Sequence, residues 1–490
     1  MFLWVMLMSP IVTGVACGLI GHPKIREIVH GIGSVITFVL VIGVVYEIAQ
    51  KSVVMAANQF FYADSLSALV LAIIGIVSFT ASLHSIGYMR QEVADGHLND
   101  VQLRNYYLWL HLFIATMLFV PIVNNLGMMW VGIEATTVVS AFLVAIYRKA
   151  ESLEAAWKYL ILCSVGIAFA LLGLVVLYSS SVQVYGAAED RLNWTFLIHA
   201  AQPLPAHLLL LSFVLLLVGY GTKVGLAPMH FWLPDAHSQA PSPASAMLSG
   251  ALLNTAFLAI LRMFAIVMRM EGVAFVSHLV LLFGLLSLFV AFPFILLQQD
   301  IKRMLAFSSV EQMGIIAFGI GIGGETGLAA ALLQMFNHAM AKSTLFLTAG
   351  NMTQHYQTKN MSRMRGALRS MPYSGPIFLL AAFAVSGAPP FSLFTSEFAL
   401  TATAFVQGHW FVSALFLLII AAIFGVMVYQ SGRVVLGVAP SRSEIQERFG
   451  WRVAPLFLPL LFVFAFGLFI PREVQGLLQH AALILEGRAQ

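Results

Sequence analysis

Apolar stretches separated by short polar connections recur along the whole chain. A helix needs about 20 predominantly apolar residues to cross the hydrocarbon core of a bilayer, and about fourteen runs reach that length. They begin near Leu3, Ile28, Ala63, Asn105, Leu126, Glu154, His207, Ala244, Val273, Met304, Gly327, Ser374, His409 and Trp451. The pattern predicts an all-α polytopic membrane protein. The segment from Met1 to Ile20 lacks the basic start and small-residue cleavage site of a secretory signal, so it is read as a retained first helix.

Two runs are broken at proline in similar words. The seventh contains Lys223-Val224-Gly225-Leu226-Ala227-Pro228 and the twelfth contains Val385-Ser386-Gly387-Ala388-Pro389-Pro390. Matching Ala227-Pro228 to Ala388-Pro389 gives an offset of 161 residues, which is five runs. An odd number of helices per repeat inverts the second copy, the arrangement in which paired discontinuous helices meet near the membrane midplane. The longer polar interruptions, around Ala240-Pro241-Ser242-Pro243, from Lys359 to Arg369 and from Gln430 to Arg452, are too short for a soluble domain.

Composition agrees with the bilayer as solvent: of 490 residues, 60% are hydrophobic and only 9% charged. That is too few charges to cover a soluble surface of this size. Most Lys and Arg fall in connections after odd-numbered runs, which predicts that those loops are cytoplasmic and that both termini face the other side. Topology thus accounts for the net charge of +4. No basic run interleaved with aromatics suggests nucleic acid. Cys17 and Cys163 lie in apolar runs without metal-ligand spacing.

Against this background the ionisable residues inside the runs stand out, because each costs at least about 2.5 kcal/mol to place in a helix core. Glu134 lies mid-helix in the fifth run, and Lys223 just precedes the break in the seventh. A Glu and a Lys at about 4 Å attract by about 4 kcal/mol at an effective dielectric of about 20, enough to gate the holding and release of a proton. The competing reading is a static ion pair that fixes helix packing. His338 and Lys342 are one turn apart on one face of the eleventh run, a spacing suited to a proton relay. Glu397 follows the second break and would end the line, or else serve the local helix dipole. Secondary candidates are Lys158, which could snorkel to the interface, Glu311, and the inlet residues His230, Asp235 and His237. His84 and His111 have no second feature and are expected to pack. There is no Walker A sequence, no dinucleotide fingerprint and no cysteine cluster, so energy must come from an ion gradient or a partner.

The segment Gly219-Tyr220-Gly221-Thr222-Lys223-Val224-Gly225-Leu226-Ala227-Pro228-Met229-His230-Phe231-Trp232-Leu233-Pro234-Asp235-Ala236-His237 with Ala240-Pro241-Ser242-Pro243 resembles the antiporter-like membrane subunits of respiratory complex I, Mrp-type antiporters and membrane-bound [NiFe] hydrogenases. Asp300-Ile301-Lys302-Arg303-Met304-Leu305 and His338-Ala339-Met340-Ala341-Lys342 extend the resemblance over nearly the whole chain. It implies about fourteen helices with two inverted five-helix repeats. The partition is then a three-helix segment over 1–104, a first repeat over 105–272, a second over 273–436, and a last helix with a short tail over 437–490. It also implies a proton path through Glu134, Lys223, His338, Lys342 and Glu397.

Relatives often carry a central Lys or His in the eighth helix, whereas this chain offers only Ser249 and Asn254. Glu311, in Ser309-Val310-Glu311-Gln312-Met313-Gly314, and the short tail resemble the hydrogenase-4 branch more than the complex I subunit with a long lateral helix. A complex I subunit or an Mrp Na⁺/H⁺ antiporter subunit is the alternative. The resemblance places the chain in the inner (cytoplasmic) membrane as a proton-translocating subunit, with Na⁺ as the alternative coupling ion. No cofactor is expected in this chain; [NiFe] and iron–sulfur centres would belong to partner membrane and peripheral subunits.

Overall fold

The computed structural model describes residues 2–270, 274–438 and 447–488. In chain order its helices are α1 (Phe2–Leu19), α2 (Pro23–Lys51), α3 (Ser65–Ala94), α4 (Asp100–Phe119), α5 (Leu126–Val144), α6 (Ala150–Tyr185), α7 (Trp194–Ala200), α8 (Ala206–Val224), α9 (Trp232–Gln239), α10 (Ser242–Met247), α11 (Leu253–Val267), α12 (Ala274–Leu297), α13 (Ile301–Ile322), α14 (Gly324–Tyr356), α15 (Ala367–Ser370), α16 (Ser374–Val385), α17 (Ser392–Val406), α18 (Trp410–Leu436), α19 (Phe457–Leu468) and α20 (Arg472–Leu485). An antiparallel pair, β1 (Val54–Ala56) and β2 (Phe61–Ala63), is the only sheet among the described residues.

Among the described residues, eleven helical segments are long and apolar enough to cross a membrane. The remaining expected runs depart from that standard for identifiable reasons. The eleventh, α14, is long enough but carries Gln334, Asn337, His338, Lys342 and Asn351 on buried positions. The twelfth is split into α16 and α17, and the last, α19, bends by 83° into the amphipathic α20. The tail expected after the last run is therefore largely helical, and His480 on α20 bonds Ser65 at 2.8 Å.

The packing order follows polarity. The span over Ser242–Val267 is fully buried and α13 is buried except at Arg303, whereas α2, α6, α12 and α18 leave most of their residues toward the outside. Helices rich in hydrogen-bonding side chains thus occupy the interior, where partners exist, and the outer helices turn mainly apolar faces to the lipid. Close approach is paid for with small residues: a Cβ on Gly219 of α8 would stand 2.4 Å from the Ala170 backbone nitrogen of α6. A buried ion pair ties Arg262 of α11 to Asp64 at the start of α3, with Ser67 at 2.9 Å and the Trp194 ring 4.4 Å from the guanidinium.

Both breaks turn on a left-handed glycine, Gly225 (φ +82°) and Gly387 (φ +77°). These lie 162 residues apart, one more than the sequence match, because the second of two consecutive prolines is the structural counterpart of Pro228. A second correspondence was invisible in the sequence. Asn125 caps α5, and Leu126 N–H donates to Leu192 O at 2.9 Å; Asp300 caps α13, and Ile301 N–H donates to Lys359 O at 3.0 Å. In each half, the second helix is pinned at its start to the connection preceding the broken helix. Of the expected partition, the boundary at 104/105 falls inside α4, the one at 436/437 coincides with the end of α18, and the one at 272/273 lies outside the described residues.

Candidate functional site

Three polar clusters run through the interior, and the first is built around Lys223. It ends α8, fully buried, where Gly225 stops the helix and the Trp232 indole donates to the freed Thr222 carbonyl at 2.7 Å. The Lys223 ammonium donates to Tyr159 OH at 2.5 Å and Thr137 Oγ1 at 2.9 Å. Aromatic faces complete the cage, with the Tyr159 ring centroid at 4.6 Å and that of Trp232 at 5.8 Å. Cation–π contact in a desolvated site contributes about 2 kcal/mol, so the cage offsets part of the cost of burying the charge.

Glu134 does not touch Lys223 directly, contrary to the simplest expectation of an ion pair. Thr137, one turn along α5, stands between them: its hydroxyl accepts from Lys223 and lies 3.4 Å from Glu134 Oε2. Ser164 of α6 donates to Glu134 Oε1 at 2.7 Å. Glu134 is only half-buried, at the outer edge of the cluster.

The second cluster occupies α13, α14 and α17. Lys342 donates to Leu305 O at 2.9 Å and to Ser308 Oγ. Glu311, buried, lies within electrostatic reach of both Lys342 and Glu397. Gln334 donates to Glu397 Oε1 at 3.1 Å and to Gln312 Oε1 at 2.7 Å, while Gln312 donates to Val385 O at 3.1 Å, at the broken end of α16. Asn337 and Ser396 close this network. A Cβ on Gly387 would sit 2.2 Å from Glu397 Oε2, so the glycine both turns the chain and admits the carboxylate. On its other side Glu397 lines an open groove of about 510 Å³ between α17 and α18.

Between the clusters lies the eighth run. It is not a regular α-helix at Ser249: residues Leu248–Leu252 form a π-turn. Such turns release carbonyls from the regular ladder, and Ser249 O accepts from His338 Nε2 at 3.3 Å while its hydroxyl bonds Ser309 at 2.8 Å. Asn254 donates to Gly250 O at 2.8 Å, and its Oδ1 has no partner among the described residues. His237 stands between the two clusters. Its ring is 6.0 Å from that of Trp232, which cages Lys223, and it interacts electrostatically with Lys342. His237 Nε2 has no partner among the described residues.

The third cluster is a vestibule of about 240 Å³ formed by connections after the third, fifth, seventh, ninth and eleventh runs, which therefore lie on one side. Glu92, His97, Tyr147, Lys302 and Lys359 line it. Lys302 is buried and donates to Ala240 O; Lys359 donates to Ser238 O at 2.8 Å. Burial in this mouth holds the Lys359 ammonium below the ordinary lysine value. Lys158 and Asp235 sit apart, in a half-exposed chain with Glu154 and Arg303 (3.5 Å from Lys158 to Asp235, 2.7 Å from Arg303 to Asp235). His230 is buried among Phe231, Phe294 and Phe307, away from the line.

The family described as NADH:quinone oxidoreductase/Mrp antiporter, TM matches residues 123–424, and that described as NADH-ubiquinone oxidoreductase (complex I), chain 5 N-terminus matches residues 54–96. The chain belongs to this antiporter-subunit family. A hydrogenase-4 component F homolog of Methylacidiphilum infernorum (isolate V4) is 36% identical over 430 residues, 88% of this chain and 89% of the relative. The fold is similar to a chain of the Mrp complex from Dietzia sp. DQ12-45-1b (TM-score 0.84, 19% identity, 99% of this chain and 97% of that one). It is also similar to one of respiratory complex I from Thermus thermophilus (TM-score 0.74, 24% identity, 94% and 97%).

The structure gathers Glu134 and Lys223 into one cluster and Glu311, His338, Lys342 and Glu397 into or beside the other. Sequence reasoning missed Thr137, Tyr159, Gln312, Gln334 and Lys302. Thr137 had a signal, its one-turn spacing from Glu134; neutral Gln334 and Gln312 on apolar helices had none beyond their rarity there.

Proposed function

We propose that this chain is a proton-translocating, antiporter-like subunit of a redox-driven, hydrogenase-4-type membrane complex. The observation that carries the reading is the pair of buried polar clusters, each built on a broken helix and each joining charges through hydroxyl or amide groups that can rotate. A static ion pair would place its charges in contact; here Thr137 separates Glu134 from Lys223 by one hydroxyl. Closing that gap holds a proton on Lys223, and opening it lets the proton leave.

The vestibule faces the cytoplasm in this reading, as its basic loops imply. Protons enter past Glu92 and Lys302 and reach His237, whose unpartnered Nε2 can accept one. From there Lys342 and His338 pass it toward Glu311 and Glu397, and the groove beside Glu397 delivers it to the far side or to a neighbouring subunit. The crossing to Lys223 runs by way of His237 and water rather than through Asn254. The two matched helix pins at Asn125 and Asp300 support two inverted repeats, running from α4 to α11 and from α12 to α18. The redox centres that drive the process reside in partner subunits, a reading supported by the hydrogenase-4 relative.

The test is the native assembly purified and reconstituted into vesicles with Lys342→Ala in this chain. Expected are co-purifying hydrogenase subunits, preserved electron transfer and loss of proton uptake by roughly a hundredfold or more, the lower end of what a lost proton-transfer group costs. Undiminished uptake contradicts the reading, and co-purification with antiporter subunits alone assigns the chain to a Na⁺/H⁺ antiporter instead.

A further inference from the structure

The vestibule gathers cations that no carboxylate answers. Lys149, Lys302 and Lys359 line the same space of about 240 Å³, and Glu92 is the one carboxylate in its wall. The three lysines come from separate parts of the chain: Lys149 precedes α6, Lys302 lies at the start of α13 and Lys359 follows α14. Lys302 is buried, Lys359 half-buried and Lys149 exposed.

Their contacts are with neutral groups. Lys302 donates to Ala240 O, and Lys359 to Ser238 O at 2.8 Å and Gln239 Oε1 at 3.3 Å. Lys149 faces the Tyr147 ring, 6.0 Å from its centroid. An ammonium carries three hydrogens, so each lysine has donors to spare. Among the described residues none of the three is in an ion pair. Glu92 is already engaged, by the Gln354 amide at 2.7 Å and by His97 Nδ1 at 3.1 Å. Asp300 and Glu151 act on Lys359 only from a distance, and Asp300 is occupied in capping α13 and in accepting from the Ser238 hydroxyl at 2.9 Å. Lys302 and Lys359 repel each other, and Lys149 and Arg303 add to the repulsion at Lys359.

A desolvated ammonium is costly without a counter-charge, and a recess lined by one sign of charge concentrates the opposite ion. The same cations oppose the entry of a proton. We propose that the vestibule binds an oxyanion of the phosphate class between Lys149, Lys302 and Lys359, and that this anion speeds proton uptake. Lysine suits such a ligand as a point charge with rotatable donors. The bound anion accepts the spare hydrogens, lowers the positive potential at the mouth and lets protons pass toward Glu92. The site itself stands on the lysines; its effect on uptake rests on the vestibule being the inlet.

Binding and uptake are tested separately. The full chain in nanodiscs of phosphatidylcholine is titrated calorimetrically with inorganic phosphate, with ionic strength held constant by chloride. Saturable binding is expected, weakened about tenfold in Lys149→Gln and in Lys359→Gln, the loss of one charge-assisted hydrogen bond. No binding, or binding unchanged in both variants, would overturn the site. Lys149 has no hydrogen bond to lose, so Lys149→Gln decides the matter even where Lys359→Gln fails to fold. A second arm replaces part of the phosphatidylcholine with phosphatidylglycerol. Competition with phosphate there identifies the anion as a lipid headgroup, and unchanged phosphate binding identifies it as the free ion; either supports the site. In the reconstituted native assembly, phosphate and the non-titrating sulfate are each expected to raise proton uptake several-fold over chloride, and Lys149→Gln to need about ten times as much of either. Sulfate separates this effect from buffering. Uptake indifferent to both anions while binding persists would overturn the effect on the inlet and leave the binding result standing.

Discussion

The two broken helices share one backbone solution and place opposite charges on it. At the first break the cation stands on the helix that ends: Lys223 closes α8, caged by Tyr159 and Trp232, with its acid one hydroxyl away on α5. At the second, 162 residues on, the matching position is Val385, and only its carbonyl takes part, accepting from Gln312. The charge there is Glu397, across the break on α17, held by the amide of Gln334. A break frees backbone groups and admits polar side chains into a helix bundle, but it does not dictate which charge uses the opening. Opposite signs at the two breaks give a proton line a donor end and an acceptor end, which two identical breaks would not.

Variants that erase this difference should matter most. Glu397→Gln leaves the second break with amides alone and is expected to cut proton translocation by roughly a hundredfold, measured in vesicles with electron transfer as the control. Thr137→Val removes the hydroxyl between Glu134 and Lys223 while keeping the shape, and should slow translocation about tenfold, the rate equivalent of one hydrogen bond of about 1.4 kcal/mol. The glycines sharpen the comparison through stability. Both require a left-handed conformation that costs a side-chain-bearing residue about 1–2 kcal/mol. At Gly225 an added Cβ meets the movable end of Leu233, whereas at Gly387 it meets the Glu397 carboxylate. Gly387→Ala should therefore lower the thermal midpoint and translocation together, and Gly225→Ala the midpoint alone. Tyr159→Phe keeps the ring over Lys223 and removes its hydroxyl, so about 1.5–3 kcal/mol of stability, the range for a hydrogen bond to a charged group, is expected to go, read by thermal unfolding in detergent.

The charged members of the site were legible because lipid makes them expensive: an ionisable residue in the middle of a long apolar run announces itself. The residues that connect them were not. Ser164 resembles the many hydroxyls that bond their own helix backbone, and Thr137, although one turn from Glu134, is marked as the link to Lys223 only when α5 and α8 approach. Gln334 is equally silent until α17 brings Glu397 beside it. The middle of the line was less legible for a related reason. Asn254 was the conspicuous polar residue of the eighth run, whereas the π-turn at Leu248–Leu252 and the seat of His237 beside Trp232, on which the proposed crossing rests, have no signature in one sequence. In the fold, the apolar runs predicted nearly every helix, while the one-residue shift between the breaks and the bend into α20 depended on backbone geometry, and α4 starts five residues early at the Asn99–Gln102 capping box.

The central claim is that Lys223 moves protons and does not merely brace α8. Its most direct test is the ratio of protons translocated to electrons transferred by the reconstituted native assembly carrying Lys223→Ala. The ratio is expected to fall close to zero while electron transfer continues; an unchanged ratio would contradict the account.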